Sequence, residues 1–441
     1  METTGQRLSV IGIGYLGLTH AVCMAEIGHD VLATDIDSEK VAKASAGEAF
    51  FYEPGLEPLL RKHLESGRLR FTSAIADAAE FAHVHFLCVG TPQGTDGRAD
   101  LSYVRSALDS LAGYLSSGCL IVGKSTVPPG TARPLAERVR ALAPAGDEVE
   151  LAWSPEFLRE GFAVADSLRP DRLVFGVSSE RAVVRLREVF APQLDNGVPG
   201  LFMDLETAEL VKISANAFLA VKISYINAMA EVCEAVGADV GKLAQALGYD
   251  ERIGSRFLGP GLGFGGGCLP KDLRSFRAAA RELGVGSVAD LLSTVDEINL
   301  GRRTRVIELA RKSAGGSLAG KRVAVLGVAF KPGTDDVRDS PSLDVCGRMS
   351  EEGAIVTVHD PVAMPNAARA NPVLRCAASV REAAEGADVV LHLTEWADYR
   401  AIDPAALGAV VSRRVLIDAR CVLDAPSWRE AGWDVTVLGQ S

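Results

Sequence analysis

No C-x-x-C pair and no histidine-rich stretch occurs anywhere in this sequence, and its eight cysteines (Cys23, Cys88, Cys119, Cys233, Cys268, Cys346, Cys376, Cys421) stand singly. That pattern argues against a zinc site or a disulfide framework and for free thiols in a reducing compartment. His83 and His85 share one side of a predicted strand, but two histidines lack a third ligand, and no metal is expected. Apolar runs are short: none approaches the roughly 20 residues needed to span a bilayer. The opening Met-Glu-Thr-Thr-Gly-Gln-Arg-Leu lacks the apolar core of a signal peptide, so a cytoplasmic location is expected. Basic residues are also in deficit. Lys+Arg number 46 against 57 Asp+Glu, a net charge of −11, which disfavours nucleic acid and anionic membrane surfaces as partners. Low-complexity tails and short-period repeats are absent. What remains is a chain of 441 residues, 48% hydrophobic and 23% charged, long enough for two or three packed cores.

Strand-like and helix-like runs alternate from the start. Residues 7–13 are apolar and β-branched, 17–27 helix-like and 29–35 strand-like, which makes a βαβ unit; further strands are expected at 84–90, 120–124, 149–152 and 173–176. Such alternation predicts a parallel sheet with helices on both faces. The pattern breaks at residues 204–236, which contain no Gly or Pro and predict a helix about 50 Å long. Its apolar residues occupy nearly the whole circumference, so it is expected to be buried on all sides, linking two domains and lying in a subunit interface. After the small, flexible segment 312–320, alternation resumes with strands expected at 321–327, 354–360, 388–393, 415–418 and 434–438. The resulting expectation is an α/β protein of two Rossmann-like doubly wound domains joined by a long central helix. The expected divisions are 1–200, 201–312 and 313–441.

Gly12-Ile-Gly14-Tyr-Leu-Gly17 follows a predicted strand and opens a predicted helix. Its glycines suit a tight turn, approach of a pyrophosphate and close packing of helix on sheet. Asp35 ends the next strand, 18 residues past Gly17, where a carboxylate accepts from ribose hydroxyls and repels a 2′-phosphate. NAD is therefore expected rather than NADP, with Lys40 a candidate pyrophosphate or ribose contact. Gly327 is followed by Val-Ala-Phe-Lys, so the second domain lacks this fingerprint.

Six glycines fall within residues 259–267, directly before Cys268-Leu-Pro-Lys-Asp272. Glycine at that density is entropically costly and suggests close backbone approach or special dihedrals. By itself the loop is equally compatible with a nucleophilic thiol and with an inert buried cysteine.

The string Gly263-Phe-Gly-Gly-Gly-Cys-Leu-Pro-Lys-Asp272 resembles the active-site loop of the family of UDP-glucose 6-dehydrogenases and GDP-mannose dehydrogenases. The resemblance extends through Gly12 to Gly17, Val89-Gly-Thr-Pro92, Lys124-Ser-Thr-Val-Pro128, Pro155-Glu-Phe-Leu-Arg-Glu-Gly161, Glu209 to Asn216, Asp250-Glu-Arg-Ile-Gly254, and Phe330-Lys331 with Arg338-Asp-Ser-Pro341. It implies NAD on the first domain, the sugar nucleotide largely on the second, a homodimer through the long helix, and oxidation of a sugar C6 alcohol to a carboxylate with two NAD+. It also implies a thioester on Cys268 and a product destined for polysaccharide biosynthesis.

The resemblance further implies catalytic roles for Cys268, Lys212, Asp272, Glu156, Asn216 and Thr126. Beside Gly12, Gly14, Gly17, Asp35 and Lys40, it places Tyr15, Leu16, Thr91, Thr126, Glu160, Lys271 and Arg338 at the cofactor. At the substrate it places Glu156, Phe157, Leu158, Glu160, Lys212, Asn216, Phe257, Gly261, Gly265 and Lys331, with Arg252 donated by a neighbouring subunit. Residue by residue, plainer readings stand beside these: a solvated helix lysine for Lys212, a helix cap for Asp272, surface charge for Lys331 and Arg338, and a strand-end hydroxyl for Thr126. Ser154-Pro155-Glu156 also looks like an N-cap, first-turn proline and helix-start acid. Two departures from the family are Ser154, where many relatives carry Asn, and Gly267, where others often carry Ser or Tyr. Glucose-type features of segments 155–161 and 168–172 point first to UDP-glucose; dTDP-sugars, GDP-sugars and UDP-N-acetylhexosamines are the alternatives. A one-step hydroxyacid dehydrogenase would share the first domain without needing Cys268, and a non-catalytic sensor would not need Lys212, Glu156 and Cys268 together.

Overall fold

The structure, a computed structural model, describes residues 5–440. It divides into two compact units, residues 1–215 and 216–441. The first holds an eight-stranded sheet built from β1 (Arg7–Ile11), β2 (Asp30–Thr34), β3 (Leu69–Thr72), β4 (Val84–Leu87), β5 (Cys119–Gly123), β6 (Val149–Trp153), β7 (Leu173–Gly176) and β8 (Gly200–Met203), in the order β3-β2-β1-β4-β5-β6-β7-β8. Strands β4 and β5 are buried along their whole length and rich in β-branched or aromatic residues, as a sheet covered on both faces requires. Alternate residues feed opposite cores: Val10 and Phe86 pack into one, Ile11 and Leu87 into the other. The sheet is not wholly parallel, as the sequence suggested. β7 meets β6 antiparallel through Trp153 and Gly176, and β8 runs parallel to β7.

The second unit carries a six-stranded parallel sheet: β9 (Arg322–Leu326), β10 (Ile355–His359), β11 (Arg375–Cys376), β12 (Val389–His392), β13 (Val415–Asp418) and β14 (Asp434–Val437), ordered β11-β10-β9-β12-β13-β14. In each sheet the chain leaves the first strand to one side and later crosses to the other. This creates a crevice at the carboxyl ends of β1 and β4 in one unit and of β9 and β12 in the other. Gly12–Gly17 follows β1, and Phe330 and Lys331 follow β9.

The long helix is observed as Leu205–Val236, 32 residues, and the division between the units falls within it. Ala208, Ile213, Ala220, Ile226 and Ala230 are buried. Burial on all sides does not hold, however: Leu210, Phe218, Tyr225, Val232 and Val236 are exposed, Phe218 at 64% and Val236 at 70%. No helix among the described residues is long and apolar enough to cross a membrane.

Candidate active site

The three fingerprint glycines do three different jobs. Gly12 takes a left-handed φ of +89° in the turn after β1. A Cβ on Gly17 would stand 1.8 Å from the carbonyl oxygen of Gly12, so only glycine seats the helix Tyr15–Glu26 against the turn. A Cβ on Gly14 would meet nothing within 4 Å, leaving that backbone face open to a ligand. The helix has no side-chain cap and no acid in its first turn, so its positive end is available to phosphates. Asp35 stands just beyond β2 and accepts from the N–H groups of Ile13 and Asp37 at 2.8 and 2.9 Å, which fixes a carboxylate beside the turn. These features fit a dinucleotide carrying an unphosphorylated ribose. Lys40 does not stand out from its surroundings: it pairs with Asp37 of its own helix start at 3.6 Å.

Tyr15 donates to Glu53, whose carboxylate also accepts from the N–H groups of Gly161 and Ala163, both at 2.7 Å. Burial and this bond push the Tyr15 phenol well above its ordinary range, so it stays protonated. The segment 154–159 has no regular secondary structure, and the next helix begins only at Ala163. The helix-start reading of Ser154-Pro155-Glu156 is therefore wrong, because Pro155 follows the end of β6. Glu156 instead accepts from the Leu158 N–H and comes within 4.0 Å of the Lys212 ammonium.

Lys212 is not a solvated lysine. It is 5% exposed, with its Nζ 5.3 Å from the centre of the Phe157 ring, which also carries the guanidinium of Arg172 at 4.0 Å. Lys124, just past β5, is buried and donates to Ser154 at 3.4 Å; burial holds its pKa below the usual lysine range. Thr126 lies three residues beyond β5 rather than at its end, and its carbonyl accepts from the Thr91 hydroxyl at 2.9 Å. Glu209, one turn before Lys212, commits its carboxylate to the N–H groups of Gly130 and Ala132, each at 2.6 Å.

In the second unit Cys268 is exposed and is the N-cap of the helix Leu269–Glu282, where an inert cysteine would be buried. Cys88 by comparison is buried, and burial pushes that thiol up to about 12. Asp272 lies in the first turn of this helix, 2% exposed. It is not the cap; it accepts from Asn216 Nδ2 at 2.6 Å and from Lys271 Nζ at 2.7 Å. The glycine-rich loop is pegged from all sides. Asn299 brackets Phe264, accepting from its N–H at 2.8 Å and donating to its carbonyl at 3.0 Å. Asn227 accepts from the Gly261 N–H at 2.8 Å, and Arg420 joins the carbonyls of Gly263 and Phe330 at 3.1 and 3.3 Å.

Comparison with known proteins now bears on this arrangement. The UDP-glucose/GDP-mannose dehydrogenase family matches in three consecutive parts: its NAD binding domain at residues 6–194, its central domain at 206–300 and its UDP binding domain at 324–425. The chain belongs to this family. The chain is 40% identical over 437 residues to UDP-glucose 6-dehydrogenase of Rhizobium meliloti, covering 98% of this chain and 99% of that protein. It is 40% identical over 443 residues to UDP-glucose 6-dehydrogenase of Pseudomonas aeruginosa, covering 98% and 97%. A UDP-glucose dehydrogenase structure from the archaeon Pyrobaculum islandicum superposes with a TM-score of 0.92 at 36% identity, covering 100% of this chain and 99% of that one. As a member of the UDP-glucose/GDP-mannose dehydrogenases, the protein is an NAD-dependent oxidoreductase with the two-sheet α/β fold.

The remaining expected site residues are placed as follows. Leu16 and Glu160 are half-buried in the first unit. Phe257 adopts a left-handed φ of +63°. The close approaches at Gly261 and Gly265 are to this chain's own backbone, since added Cβ atoms would stand 2.7 Å from Ala419 O and 2.3 Å from Asp339 O. Lys331 lies over the Phe330 ring at 5.7 Å. Arg252 pairs with Asp250 at 2.7 Å, its side chain 89% exposed. Sequence reasoning missed Glu53, Asn227, Asn299 and Arg420, each of which acts by gripping backbone far away along the chain.

Proposed function

We propose that this protein oxidises C6 of UDP-glucose to the carboxylate, giving UDP-glucuronate for an acidic polysaccharide, in the cytoplasm. The observation that carries this reading is an exposed thiol at a helix N-terminus, in a loop whose glycines are pegged in place, within a chain that also bears a complete NAD fingerprint. NAD+, which the turn Gly12–Gly17 and Asp35 would hold, would supply the hydride acceptor for both oxidations at C6.

The chain's own groups explain why the second removal is feasible. An aldehyde has no hydride to give until it becomes tetrahedral, and the Cys268 thiolate supplies the missing bond as a thiohemiacetal. After the second hydride leaves, the sulfur holds a thioester. Lys212 and Asn216, one turn apart on the long helix, donate to the oxygen on C6 as it gains charge; one such donor is typically worth ~2.7–4 kcal/mol. Asp272, fixed by Asn216 and Lys271, works with Lys212 to hold the hydrolytic water. Thr126 positions that water, and Glu156 takes its proton. Thioester hydrolysis releases the carboxylate and regenerates the thiol, so one alcohol, two NAD+ and one water yield one carboxylate, two NADH and three protons.

In this reading residues 1–200 bind NAD, 201–312 carry the thiol and the dimer contact, and 313–441 bind the sugar nucleotide. Glu160, Thr91, Lys271 and Arg338 contact the cofactor. Phe157, Leu158, Phe257, Gly261, Gly265 and Lys331 contact the sugar nucleotide. A second copy of the chain covers the apolar stripe of the long helix and contributes Arg252. NADH release measured across UDP-, dTDP- and GDP-sugars and UDP-N-acetylhexosamines tests the assignment. We expect two NADH per UDP-glucose and weaker turnover of the others. One NADH per substrate would indicate a single-step dehydrogenase, and binding without turnover would indicate a sensor.

A further inference from the structure

Gly267, the residue before Cys268, is where the thiol loop meets the turn carrying Arg338. A Cβ on Gly267 would stand 2.4 Å from Cζ of Arg338, 2.6 Å from Nη2 and 2.7 Å from Nη1. The guanidinium therefore occupies the volume that any other side chain at position 267 would need. Its placement is built rather than incidental. The Gly266 N–H donates to the Arg338 carbonyl at 3.0 Å. Asp336 accepts from Nε at 3.0 Å, from Nη2 at 2.7 Å and from the Arg338 N–H at 2.9 Å. The next residue, Asp339, is held at a φ of +45° and gripped by Arg274 at 2.8 Å and Arg303 at 3.0 Å. Gly265 and Gly266 complete the contact, since Cβ atoms there would stand 2.3 Å from Asp339 O and 2.7 Å from the Phe330 ring.

We propose that Arg338 is the cationic partner of the thiol: its guanidinium, admitted by the missing side chain at Gly267, stabilises Cys268 as the thiolate that attacks the aldehyde. The thiol proton goes to solvent, and no other bond changes in this step. Cationic neighbours and helix N-termini both favour thiolate over thiol; Cys268 caps the helix Leu269–Glu282 and directly follows the glycine that the guanidinium overlies. Arg338 thereby gains a task beyond cofactor contact. The inference rests on Cys268 being the nucleophile.

The test is the pH dependence of iodoacetamide alkylation at Cys268 in the full-length protein without substrate, followed by peptide mass spectrometry. Gly267→Ser is the informative variant. The three atoms nearest its new Cβ all belong to the far end of the flexible Arg338 side chain, and Gly267 is not at a positive φ, so the fold should accept the change while the guanidinium is displaced. Gly267→Ser and Arg338→Gln should each move the alkylation midpoint up by about one pH unit, roughly a tenfold loss of thiolate at neutral pH. Arg338→Lys, which keeps charge but loses the planar fork, should recover part of that loss. Superimposable profiles for wild type, Gly267→Ser and Arg338→Gln would overturn the proposal, and a role confined to NAD binding predicts that result, with only the KM for NAD raised. Cys268→Ser, assayed alongside, separates the two levels of the argument. Acid formation surviving in that variant removes the nucleophile itself, whereas its loss together with superimposed profiles removes only the assignment to Arg338.

Discussion

Glu209 and Lys212 sit one turn apart, yet they do different work. Lys212 keeps its ammonium beside Glu156 and Phe157, while Glu209 fastens the start of the helix Ala132–Leu142 to the long helix. Burial pushes the Glu209 carboxyl up to about 7, against the opposing pull of the two N–H groups it accepts from. A carboxyl raised in the fold holds its proton more tightly when folded, so its contribution to stability is complete below the ordinary value of 4.5 and is lost as pH rises towards 7. Thermal unfolding of Glu209→Gln should show less decline in Tm across that window than wild type; parallel declines would contradict this account. Helical spacing alone puts Glu209 and Lys212 on one face of the long helix. Spacing fixes which residues share a face, but not which backbone donors the fold brings to them. The constrained loop before Cys268 was legible for the opposite reason: its signal, six glycines in nine residues, is local.

Among the elements, the apolar runs that form β1, β4, β5 and β9 could be read to within a few residues, because strands buried on both faces leave an uninterrupted signature. The strands β3, β8 and β11 were missed. They are short edge strands with exposed residues and a single strand neighbour each, so they carry no uninterrupted buried apolar run. The thiol loop shows the same division. Its glycines announce a constrained backbone, but the amides that constrain it come from 34 and 35 residues away. Asn299→Ala would strand the buried N–H and C=O of Phe264, at roughly 1–3 kcal/mol for each unsatisfied group. We expect a lower Tm and faster amide exchange at Phe264. Unchanged protection there would show that the loop holds itself. The long helix offers a second element-scale test. Its exposed stripe of Leu210, Phe218, Tyr225, Val232 and Val236 is large for a surface left in water. For the proposed dimer, Phe218→Asp with Tyr225→Asp should shift sedimentation from dimer to monomer and, on the proposal that Arg252 is donated across it, reduce turnover. A monomeric wild type would refute the dimer.

At the scale of the whole molecule, the doubly wound architecture was readable because periodicity and the glycine fingerprint agree with each other. The reversed direction of β7 and β8 was not, since a strand's sequence carries no sign for its direction. The two sheets present two crevices, and only the first is opened by a glycine fingerprint. This matches the division of labour between a dinucleotide and a sugar nucleotide. All of this serves one chemical claim, that a single sulfur carries the substrate between two oxidations. The most direct measurement is acid-quenched turnover of UDP-glucose by Glu156→Gln, expected to slow hydrolysis, with mass spectrometry of the peptide containing Cys268. The account predicts a UDP-glucuronyl thioester on that cysteine that accumulates with NADH. An unmodified Cys268 in a variant still releasing two NADH per sugar would contradict it.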